Sequence, residues 1–394
     1  MNEIYFDNAA TSPVHPDVIR AMLPFFAGAM GNPSSLHSAG QQAKRALEEA
    51  RLTVAGAIAA DPKEITFTSG GTESNNLAIQ GALRASRRGR HLIVSAIEHH
   101  SVLNVALALR RQGYDVTLLP VDRYGVVELD ALRDSLRDDT ALVSVMLANN
   151  EVGTLEPLAQ VAAIAHARGV LVHTDAVQAV GKMPVNVKEL GVDLLSLTAH
   201  KFYGPKGAGA LYVRRGTPIE PLHYGGHQER ALRPGTENIA GIVGLAAAVR
   251  LAMRDLPEET ARIGRLRDRL EAGVRAGIPD VTFNGHPQHR VPHISNISFA
   301  GVEGEALLLA LDLQGIAVST GSACTAGSTD PSHVLAAMGV APDLAQGSLR
   351  LSLGRQNTEQ EVDRVVQALA DAVSRLRKAT LASARPAYHE MVGG

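Results

Sequence analysis

The sequence predicts an α/β fold in which a mainly parallel β-sheet is covered by helices on both faces. Between about residues 38 and 215, short and nearly all-apolar strand candidates alternate with helical stretches, an alternation typical of such sheets. The length of 394 residues and the hydrophobic content of 45% allow a sizeable core and about two or three domains. Because ligands bind beyond the carboxyl ends of the strands in these folds, we expect the functional residues there.

Apolar spacing predicts the individual elements in chain order. A helix over residues 42–60 is closed by Asp61-Pro62, and the strand that follows, over residues 64–68, runs directly into Ser69-Gly70-Gly71-Thr72. Two further helices are predicted over residues 102–111 and 158–168. The remaining strands are predicted over residues 91–96, 116–121, 141–147, 170–173, 193–198 and 209–213.

A second, smaller α/β domain is predicted where the pattern changes near Asp255. Pro257 followed by two glutamates makes a favourable first helical turn, so we expect a helix to begin at Pro257 and to link the two domains. We assign residues 13–256 to the large domain, and residues 1–12 and 257–394 to the small domain. The predicted linking helix carries an apolar stripe of Ile263, Leu266, Leu270 and Val274.

Composition argues against several classes of function. The 38 Lys and Arg residues nearly balance the 40 Asp and Glu residues, and the resulting net charge of -2 gives no reason to expect nucleic acid or an anionic membrane as a partner. A single cysteine rules out an internal disulfide and fits a reducing compartment. The N-terminus does not resemble a secretory signal, and no apolar run reaches the roughly 18 residues of a membrane helix. We therefore expect a soluble, cytoplasmic protein.

The single cysteine, Cys324, lies among Gly, Ser, Thr and Ala residues that are too small and polar to build a core around it. A segment of this composition indicates a loop that can move. A lone thiol on an accessible loop suits nucleophilic sulfur chemistry, because the thiolate must reach its substrate. On this segment alone, an incidental surface cysteine is an equally good interpretation. Other segments decide between the two.

Two segments that follow predicted strands suit a ligand that carries both a phosphate group and a protonated ring nitrogen. In Ser69-Gly70-Gly71-Thr72, the glycines let the backbone approach a ligand, and the start of a helix favours a phosphate. The same residues also serve as an ordinary turn and cap. Asp175 ends a buried strand, where a carboxylate is costly unless it is paired. It is interpreted as the partner of a protonated ring nitrogen, with a helix cap as the alternative.

Two more segments complete the predicted site. Lys201 ends another apolar strand and precedes a glycine-rich turn, a position that suits Schiff-base chemistry because desolvation favours the neutral amine. Glu98-His99-His100 ends a strand with two imidazoles, one of which suits stacking on a planar ring, while the other is interpreted as an ordinary histidine. An anion site, an acid, a lysine and a stacking imidazole are the parts that hold pyridoxal phosphate.

At this point the chain resembles a known family. Thr198-Ala-His200-Lys201, Asp175-Ala-Val-Gln178, the Glu98-His99 pair and Gly-Ser-Ala-Cys324-Thr are together similar to segments of the NifS/IscS-type cysteine desulfurases. These enzymes form part of the class V aminotransferase group of fold-type I pyridoxal phosphate enzymes. The resemblance extends from Tyr5 to Arg355. It implies a large domain that binds the cofactor and a smaller α/β C-terminal domain that carries the cysteine loop.

The resemblance also implies roles for individual residues. Lys201 would form the Schiff base with pyridoxal 5'-phosphate and move protons, His99 would stack on the ring, and Cys324 would be the nucleophile. Arg350 would clamp the carboxylate of the substrate, and we prefer it to Arg355 because it ends the segment Ser348-Leu349-Arg350. The other implied cofactor contacts are Asp175 at the ring nitrogen, Gln178 and Asn150 at the ring hydroxyl (Asn150 also near the substrate carboxylate), and Gly71, Thr72, Thr198 and His200 at the phosphate.

The implied reaction takes sulfur from L-cysteine, leaves L-alanine and forms a persulfide on Cys324 for delivery to an acceptor protein. In this family the segment that holds Thr236 completes the phosphate site of a partner subunit, so a homodimer is expected. No metal site is expected. The acceptor stays open, with iron–sulfur cluster assembly on a scaffold, tRNA thiolation, cofactor synthesis and DNA phosphorothioation as destinations.

Three alternatives remain at this point. The first two are selenocysteine lysis and transamination, which are other pyridoxal phosphate reactions of the same fold. Transamination would have no use for Cys324. The third is a non-catalytic sulfur-handling protein or scaffold that retains the fold. It conflicts with the presence of Lys201, Asp175 and Arg350, because a scaffold has no need of all three.

Overall fold

The computed structural model describes residues 3–28, 31–320 and 332–383. Its strands are β1 Ile4–Tyr5, β2 Ile65–Thr68, β3 His91–Ser95, β4 Asp115–Leu119, β5 Thr140–Ser144, β6 Leu171–Asp175, β7 Leu194–Thr198, β8 Gly209–Val213, β9 Val281–Asn284, β10 Ile294–Phe299, β11 Ile316–Ala317 and β12 Ser348–Ser352. Its helices are α1 Pro16–Met22, α2 Pro24–Ala27, α3 Ser38–Ala57, α4 Gly71–Ala85, α5 His100–Arg111, α6 Leu129–Ser135, α7 Leu158–His166, α8 Val187–Leu190, α9 Ile239–Gly277, α10 Gly304–Asp312, α11 His333–Ala337, α12 Pro342–Gln346 and α13 Glu359–Ser383.

A seven-stranded sheet forms the centre of the larger part of the chain, with strand order β2-β8-β7-β6-β5-β3-β4. Only β8 runs antiparallel to its neighbours, so the predicted mainly parallel sheet is confirmed. Each of the seven strands predicted between residues 64 and 213 is present, within a few residues of its predicted bounds. Because β2, β3, β6 and β7 point the same way, the polar segments that follow them meet at one edge of the sheet.

Two smaller sheets lie in the C-terminal part of the chain. One is antiparallel with the order β12-β10-β9, and the other pairs β1 with β11 in parallel. Single bridges join Asp7, which follows β1, to Ser352, and Ser319, which follows β11, to Arg350. Both strands of the two-stranded sheet therefore lead to β12. Their apolar side chains form a separate core with those of α9, α10 and α13. The N-terminal strand is thereby part of the smaller unit.

The helix that links the two parts does not begin at Pro257, so that prediction is wrong. Instead α9 is one helix of 39 residues with Pro257 in its interior. Proline removes one backbone hydrogen bond there and disfavours a helix. Packing on both sides compensates, because Leu245 and Val249 lie in the core of the large sheet while Leu266 and Leu270 lie in the core of the small one. Tertiary contacts thus override the local signal.

The two cores are not divided strictly at residue 257. Val291, Ile294, Val334 and Leu335 come from the C-terminal part, yet they pack in the core of the large sheet. The domain bounds 13–256, 1–12 and 257–394 therefore stay a prediction. In the part of the chain that the structure describes, no helix combines the length and apolar character needed to cross a membrane.

A buried ion pair holds an unusual turn against the large sheet. Glu229, Arg230 and Ala231 all have positive φ angles, of 45°, 58° and 64°, a backbone region that costs non-glycine residues free energy. Arg51 of α3 binds the Glu229 carboxylate with both terminal nitrogens, at 2.8 and 2.6 Å. The same carboxylate accepts the backbone N–H of Phe67 in β2 at 2.8 Å. The turn therefore depends on this pair for its position.

We predict that Arg51→Met lowers the free energy of unfolding by about 3–5 kcal/mol, because it leaves a buried and unpaired carboxylate. The measurement is urea-induced unfolding of the variant and of the unmodified protein. The double variant Arg51→Met/Glu229→Met should recover part of the loss, since neither charge is then left alone. Equal losses in the single and double variants would show that the pair does not hold the turn.

Candidate active site

A cavity of about 400 Å³ opens at the carboxyl edge of the large sheet. It brings together ten of the predicted site residues: Gly71, Thr72, His99, Asn150, Asp175, Gln178, Thr198, His200, Lys201 and Arg350. Cys324 lies outside the described residues. Thr236 is exposed and does not line the cavity in this single chain, and its predicted contact is with a partner subunit. The predicted roles of all these residues stay predictions.

Lys201 reaches the cavity from the short turn Ala199–Lys201 that follows β7. Its Nζ donates hydrogen bonds to the backbone carbonyls of Ala9, at 2.6 Å, and Ala10, at 2.7 Å. Both carbonyls belong to the turn that follows β1. The N-terminal segment therefore forms part of the cavity wall and holds the amine that the sequence predicts to be reactive.

Asp175 is buried at the end of β6, and both of its hydrogen-bond donors are neutral. Its Oδ2 accepts from Asn75 Nδ2 at 2.7 Å, and its Oδ1 accepts from the backbone N–H of Val177 at 2.9 Å. No helix begins at Asp175, which ends a strand and enters a turn, so the helix-cap alternative is wrong. A buried carboxylate with neutral donors favours a cation in the cavity, and a protonated pyridine nitrogen fits this need.

The start of α4 provides an anion site in the cavity wall. Gly70 precedes the helix with a φ of 156° and offers no side chain to cap the first amides. A Cβ on Gly71 would lie 2.8 Å from Cγ2 of Val177, so only glycine lets the helix start pack this closely beside β6. The Thr198 hydroxyl donates to the Ala208 carbonyl at 3.2 Å and keeps its lone pairs for other donors. Uncapped amides and the helix dipole suit a phosphate.

His99 is the N-cap of α5, and this role fixes its ring. Its Nδ1 accepts the backbone N–H of Ser101 at 3.0 Å, so the neutral ring carries its hydrogen on Nε2. Burial lowers the pKa of His99 below its ordinary value and favours this neutral form. His100 also lines the cavity, and its ring lies 4.8 Å from that of His333. Both imidazoles of the pair therefore belong to the site, against the expectation that one is an ordinary histidine.

Arg350 reaches the cavity because side chains alternate along β12. Leu349 and Leu351 enter the small core, so Arg350 between them faces the other side of the strand. Its Nη2 donates to Asp7 at 2.8 Å and its Nη1 to the Asn150 carbonyl at 3.0 Å, while the side chain is almost fully buried. Its Nε has no hydrogen-bond partner among the described residues. This buried cation suits a carboxylate ligand.

Arg355, the arginine that the sequence analysis set aside, does not line the cavity. Its Nη2 forms an ion pair with Asp255 of α9 at 2.8 Å. Its guanidinium also lies 5.6 Å from the ring centroid of Tyr203. The two arginines therefore serve different parts of the molecule.

Sequence reasoning missed Asn75 and several other residues that line the cavity, and also Asp7, which binds the cavity residue Arg350. Asn75 lies one helical turn after Gly71, so the helical spacing of α4 would have found it. Asp7 reaches Arg350 only through the long-range pairing of the N-terminal segment with β12, which has no local signal. The other missed cavity residues are Ala9, Ala10, Ser101, Met146, Ala148, Glu151, Val177 and His333.

Glu151 is a buried acid of the cavity wall that contacts the C-terminal part of the chain. Its Oε2 accepts the hydroxyl hydrogen of Ser332 at 2.5 Å, and Ser332 also caps α11. Burial raises the pKa of Glu151 to about 7, although the Ser332 hydrogen bond and the charge of Arg350 oppose this rise. Glu151 therefore changes its charge near neutral pH, beside the buried arginine.

Comparisons of the sequence and of the structure with known proteins find relatives of one family. The model of the class-V aminotransferase family matches residues 4–365. A protein of Methanosarcina thermophila named cysteine desulfurase IscS is 51% identical over 375 residues, which are 95% of this chain and 93% of that protein. A solved structure named NifS-like protein has a TM-score of 0.89 at 40% identity, covering 95% of this chain and 100% of that one. A structure described as SspA in complex with cysteine has a TM-score of 0.80 at 35% identity, covering 89% and 98%.

We predict that Glu151→Gln makes the protein more stable than the unmodified one as the pH rises. In the folded state the Glu151 carboxyl keeps its proton up to a pKa of about 7, whereas the unfolded chain loses it near pH 4.5. The unmodified protein therefore loses stability between these pH values, and glutamine does not. The difference in unfolding free energy should grow to about 3 kcal/mol by pH 7 and then stay level.

The measurement is urea-induced unfolding of both proteins at several pH values between 4.5 and 8.5. Taking the difference between them cancels the contributions of the other titrating groups. Parallel stability curves would contradict the raised pKa of Glu151.

Proposed function

We propose that this chain, which belongs to the class-V aminotransferase family, is a cysteine desulfurase that converts L-cysteine into L-alanine and transfers the sulfur to Cys324 as a persulfide. The observation that carries the proposal is the cavity that holds Lys201, Asp175 and Arg350 together. An amine, a buried acid and a buried arginine are what a pyridoxal phosphate reaction on an α-amino acid requires.

The cofactor of this family is pyridoxal 5'-phosphate, and the residues of the cavity fit it. Lys201 would bind its aldehyde, and Asp175 would hold the proton on its ring nitrogen. His99 would lie on the ring, and Gln178 and Asn150 would face its hydroxyl. The phosphate would take the start of α4 at Gly71 and Thr72 together with Thr198 and His200. When bound, the cofactor supplies an aldehyde that condenses with amines and a cationic ring that withdraws electrons from the substrate.

Different residues of the chain orient L-cysteine, move its protons and hold the charge on the cofactor ring. Arg350 orients the substrate by its carboxylate, with Asn150 beside it, and so presents the Cα–H bond to the amine of Lys201. Lys201 takes the Cα proton and returns a proton to the product. Asp175 would hold the proton on the ring nitrogen, because its carboxylate lies at that end of the cavity with neutral donors among the described residues.

Sulfur transfer is balanced without an external oxidant. The Cys324 thiolate attacks the sulfur of the substrate, and the new S–S bond forms as the Cβ–S bond breaks. The electron pair of the broken bond stays on Cβ, which takes up a proton, so that the carbon skeleton leaves as L-alanine. The net change is L-cysteine plus the Cys324 thiol giving L-alanine plus the Cys324 persulfide. The persulfide then passes its outer sulfur to an acceptor.

The described residues on either side of Cys324 support its role. Ser319 exchanges two backbone hydrogen bonds with Arg350, at 3.2 and 2.7 Å. Ser332 binds the cavity residue Glu151 through its hydroxyl. Ser319 and Ser332 therefore both contact residues that line the cavity, and Cys324 lies between them in the sequence.

The assembly, the domains and the acceptor belong to the same proposal. A homodimer in which Thr236 serves the phosphate site of the partner is supported by the exposure of Thr236 and by the anchored turn Glu229–Ala231 before it. Residues 13–256 would form the cofactor-binding domain, with residues 1–12 and 257–394 as the domain that carries Cys324. A sulfur-acceptor protein, either an iron–sulfur scaffold or a tRNA-thiolation protein, would receive the persulfide in the cytoplasm.

We predict that the cofactor-loaded protein, given L-cysteine and a thiol reductant, releases alanine and sulfide in equal amounts. Cys324→Ala should lose both products by about two orders of magnitude or more, because the sulfur then has no nucleophile. Alanine and sulfide are measured together in the same reaction. The visible absorption of the bound cofactor, unchanged in the variant, is the control for an intact site.

Two results would contradict this assignment. Undiminished formation of alanine and sulfide by Cys324→Ala would show that Cys324 is not the sulfur nucleophile, and formation of the 2-oxo acid of cysteine instead of alanine and sulfide would identify a transaminase. A much faster release of alanine from selenocysteine than from cysteine would identify a selenocysteine lyase instead.

We predict that Arg350→Gln lowers kcat/KM for L-cysteine about 10- to 100-fold, mainly through KM, because a charge-assisted clamp on the substrate carboxylate is lost. Arg355→Gln is the matched control: it removes a guanidinium of the same size that lies outside the cavity, and kcat/KM should stay near that of the unmodified protein. Equal losses in both variants would exclude Arg350 as the specific carboxylate site.

A further inference from the structure

The side-chain amide of Gln178 has one orientation in the cavity wall, and the Ala9 carbonyl sets it. Gln178 Nε2 lies 2.9 Å from the backbone oxygen of Ala9, which can only accept a hydrogen bond. The amide nitrogen must therefore face Ala9, and the amide oxygen must face away from it. One hydrogen of Nε2 is used by Ala9, and the other remains for the cavity that Gln178 lines.

The amide oxygen of Gln178 meets the ring of His293. Oε1 lies 3.3 Å from His293 Nε2, so this ring nitrogen must carry a hydrogen and donate it. His293 immediately precedes β10, and its own carbonyl accepts the backbone N–H of Leu353 at 2.9 Å. The ring is completely buried, so its position is fixed by the sheet that carries Arg350.

The surroundings of His293 keep its ring neutral. Burial lowers the pKa of His293 well below its ordinary value, and the charges of Lys182, Arg350, Arg267 and Lys201 lower it further. Its Nδ1, which is the acceptor nitrogen of a neutral ring with its hydrogen on Nε2, has no hydrogen-bond partner among the described residues. A buried imidazole that keeps an unsatisfied nitrogen is costly, which suggests a task beyond packing.

We propose that His293 is a positioning residue that holds Gln178 with an amide hydrogen directed into the cavity, toward the anionic oxygen of the cofactor ring. This inference rests on the proposed function, because it assigns Gln178 to the ring hydroxyl of pyridoxal phosphate. The Ala9 carbonyl and the His293 donor hold opposite ends of the Gln178 amide. Without the His293 donor, only the Ala9 contact holds the amide, so the hydrogen that faces the cavity is held less firmly and its attraction to that ring oxygen weakens.

The test uses a matched pair of variants of the full-length protein, His293→Gln and His293→Met. The two side chains have nearly the same length and volume, but only glutamine keeps a donor near the place of Nε2. The readouts are the dissociation constant of pyridoxal phosphate and the pH at which the visible absorption of the Lys201-bound cofactor changes. A donor to the ring oxygen makes the nitrogen that joins Lys201 to the cofactor less basic.

His293→Met should raise the pH of the absorption change by about 0.5 to 1 unit and weaken cofactor binding about 3- to 10-fold, the size expected for one hydrogen bond. His293→Gln should stay close to the unmodified protein. Gln178→Met should give a similar shift, and the double variant with His293→Met should shift no further, since both changes remove the same interaction. If His293→Met does not fold, His293→Phe fills the ring volume without a donor.

Three outcomes would overturn the proposal. A donor-free His293 variant with the spectrum of the unmodified protein would show that His293 does not act on the cofactor. Shifts that add in the double variant would show that it acts independently of Gln178. Unmodified protein that binds no pyridoxal phosphate would overturn the proposed function itself, a result recognised before any variant is compared.

Discussion

The backbone carbonyl of Ala9 is the contact on which the site depends. It accepts hydrogen bonds from Lys201, at 2.6 Å, and from Gln178, at 2.9 Å, which follow two neighbouring strands of the large sheet. The N–H of Ala9 donates to the Ser352 hydroxyl of the small sheet at 2.8 Å. One peptide segment thus joins both sheets at the point where they meet. The N-terminal residues, remote in sequence from the segments that carry the predicted catalytic residues, therefore help to set the spacing between Lys201 and Arg350.

Sequence reasoning located the large sheet and most of the cavity for a physical reason. Strands buried on both faces are continuous apolar runs, and the polar residue that ends such a run is conspicuous, as Asp175 and Lys201 are. Pro257 misled the analysis because the proline signal is local, whereas the packing that keeps α9 helical comes from both cores. Asp7 and His293 were missed since their contacts join segments more than a hundred residues apart, which no periodicity records. Cys324 was chosen from the composition of its segment together with the family resemblance of the other segments, and it lies outside the described residues.

Buried charge is distributed unevenly around the cavity. Within the described ranges, Asp175 accepts hydrogen bonds from neutral donors only, while Arg350 donates to one carboxylate and one backbone carbonyl. Nearby, burial lowers the pKa of Lys182 to about 8, with its amine 4.7 Å from the ring centroid of Tyr203 and no hydrogen-bond partner among the described residues. Such groups cost folding free energy, and a ligand that brings the complementary charge recovers part of it. Cofactor binding and stability of the fold are therefore thermodynamically coupled in this protein.

The long helix α9 also has a mechanical consequence. Its first half packs in the core of the large sheet and its second half packs in the core of the small one, so a single continuous helix connects the two units. A displacement of one unit against the other must bend α9. The helix bends most easily at the turn before Pro257, because the Met253 carbonyl has no amide hydrogen four residues later to accept. A bend at this turn would change the distance between Arg350, which the small unit carries, and Lys201, which the large unit carries.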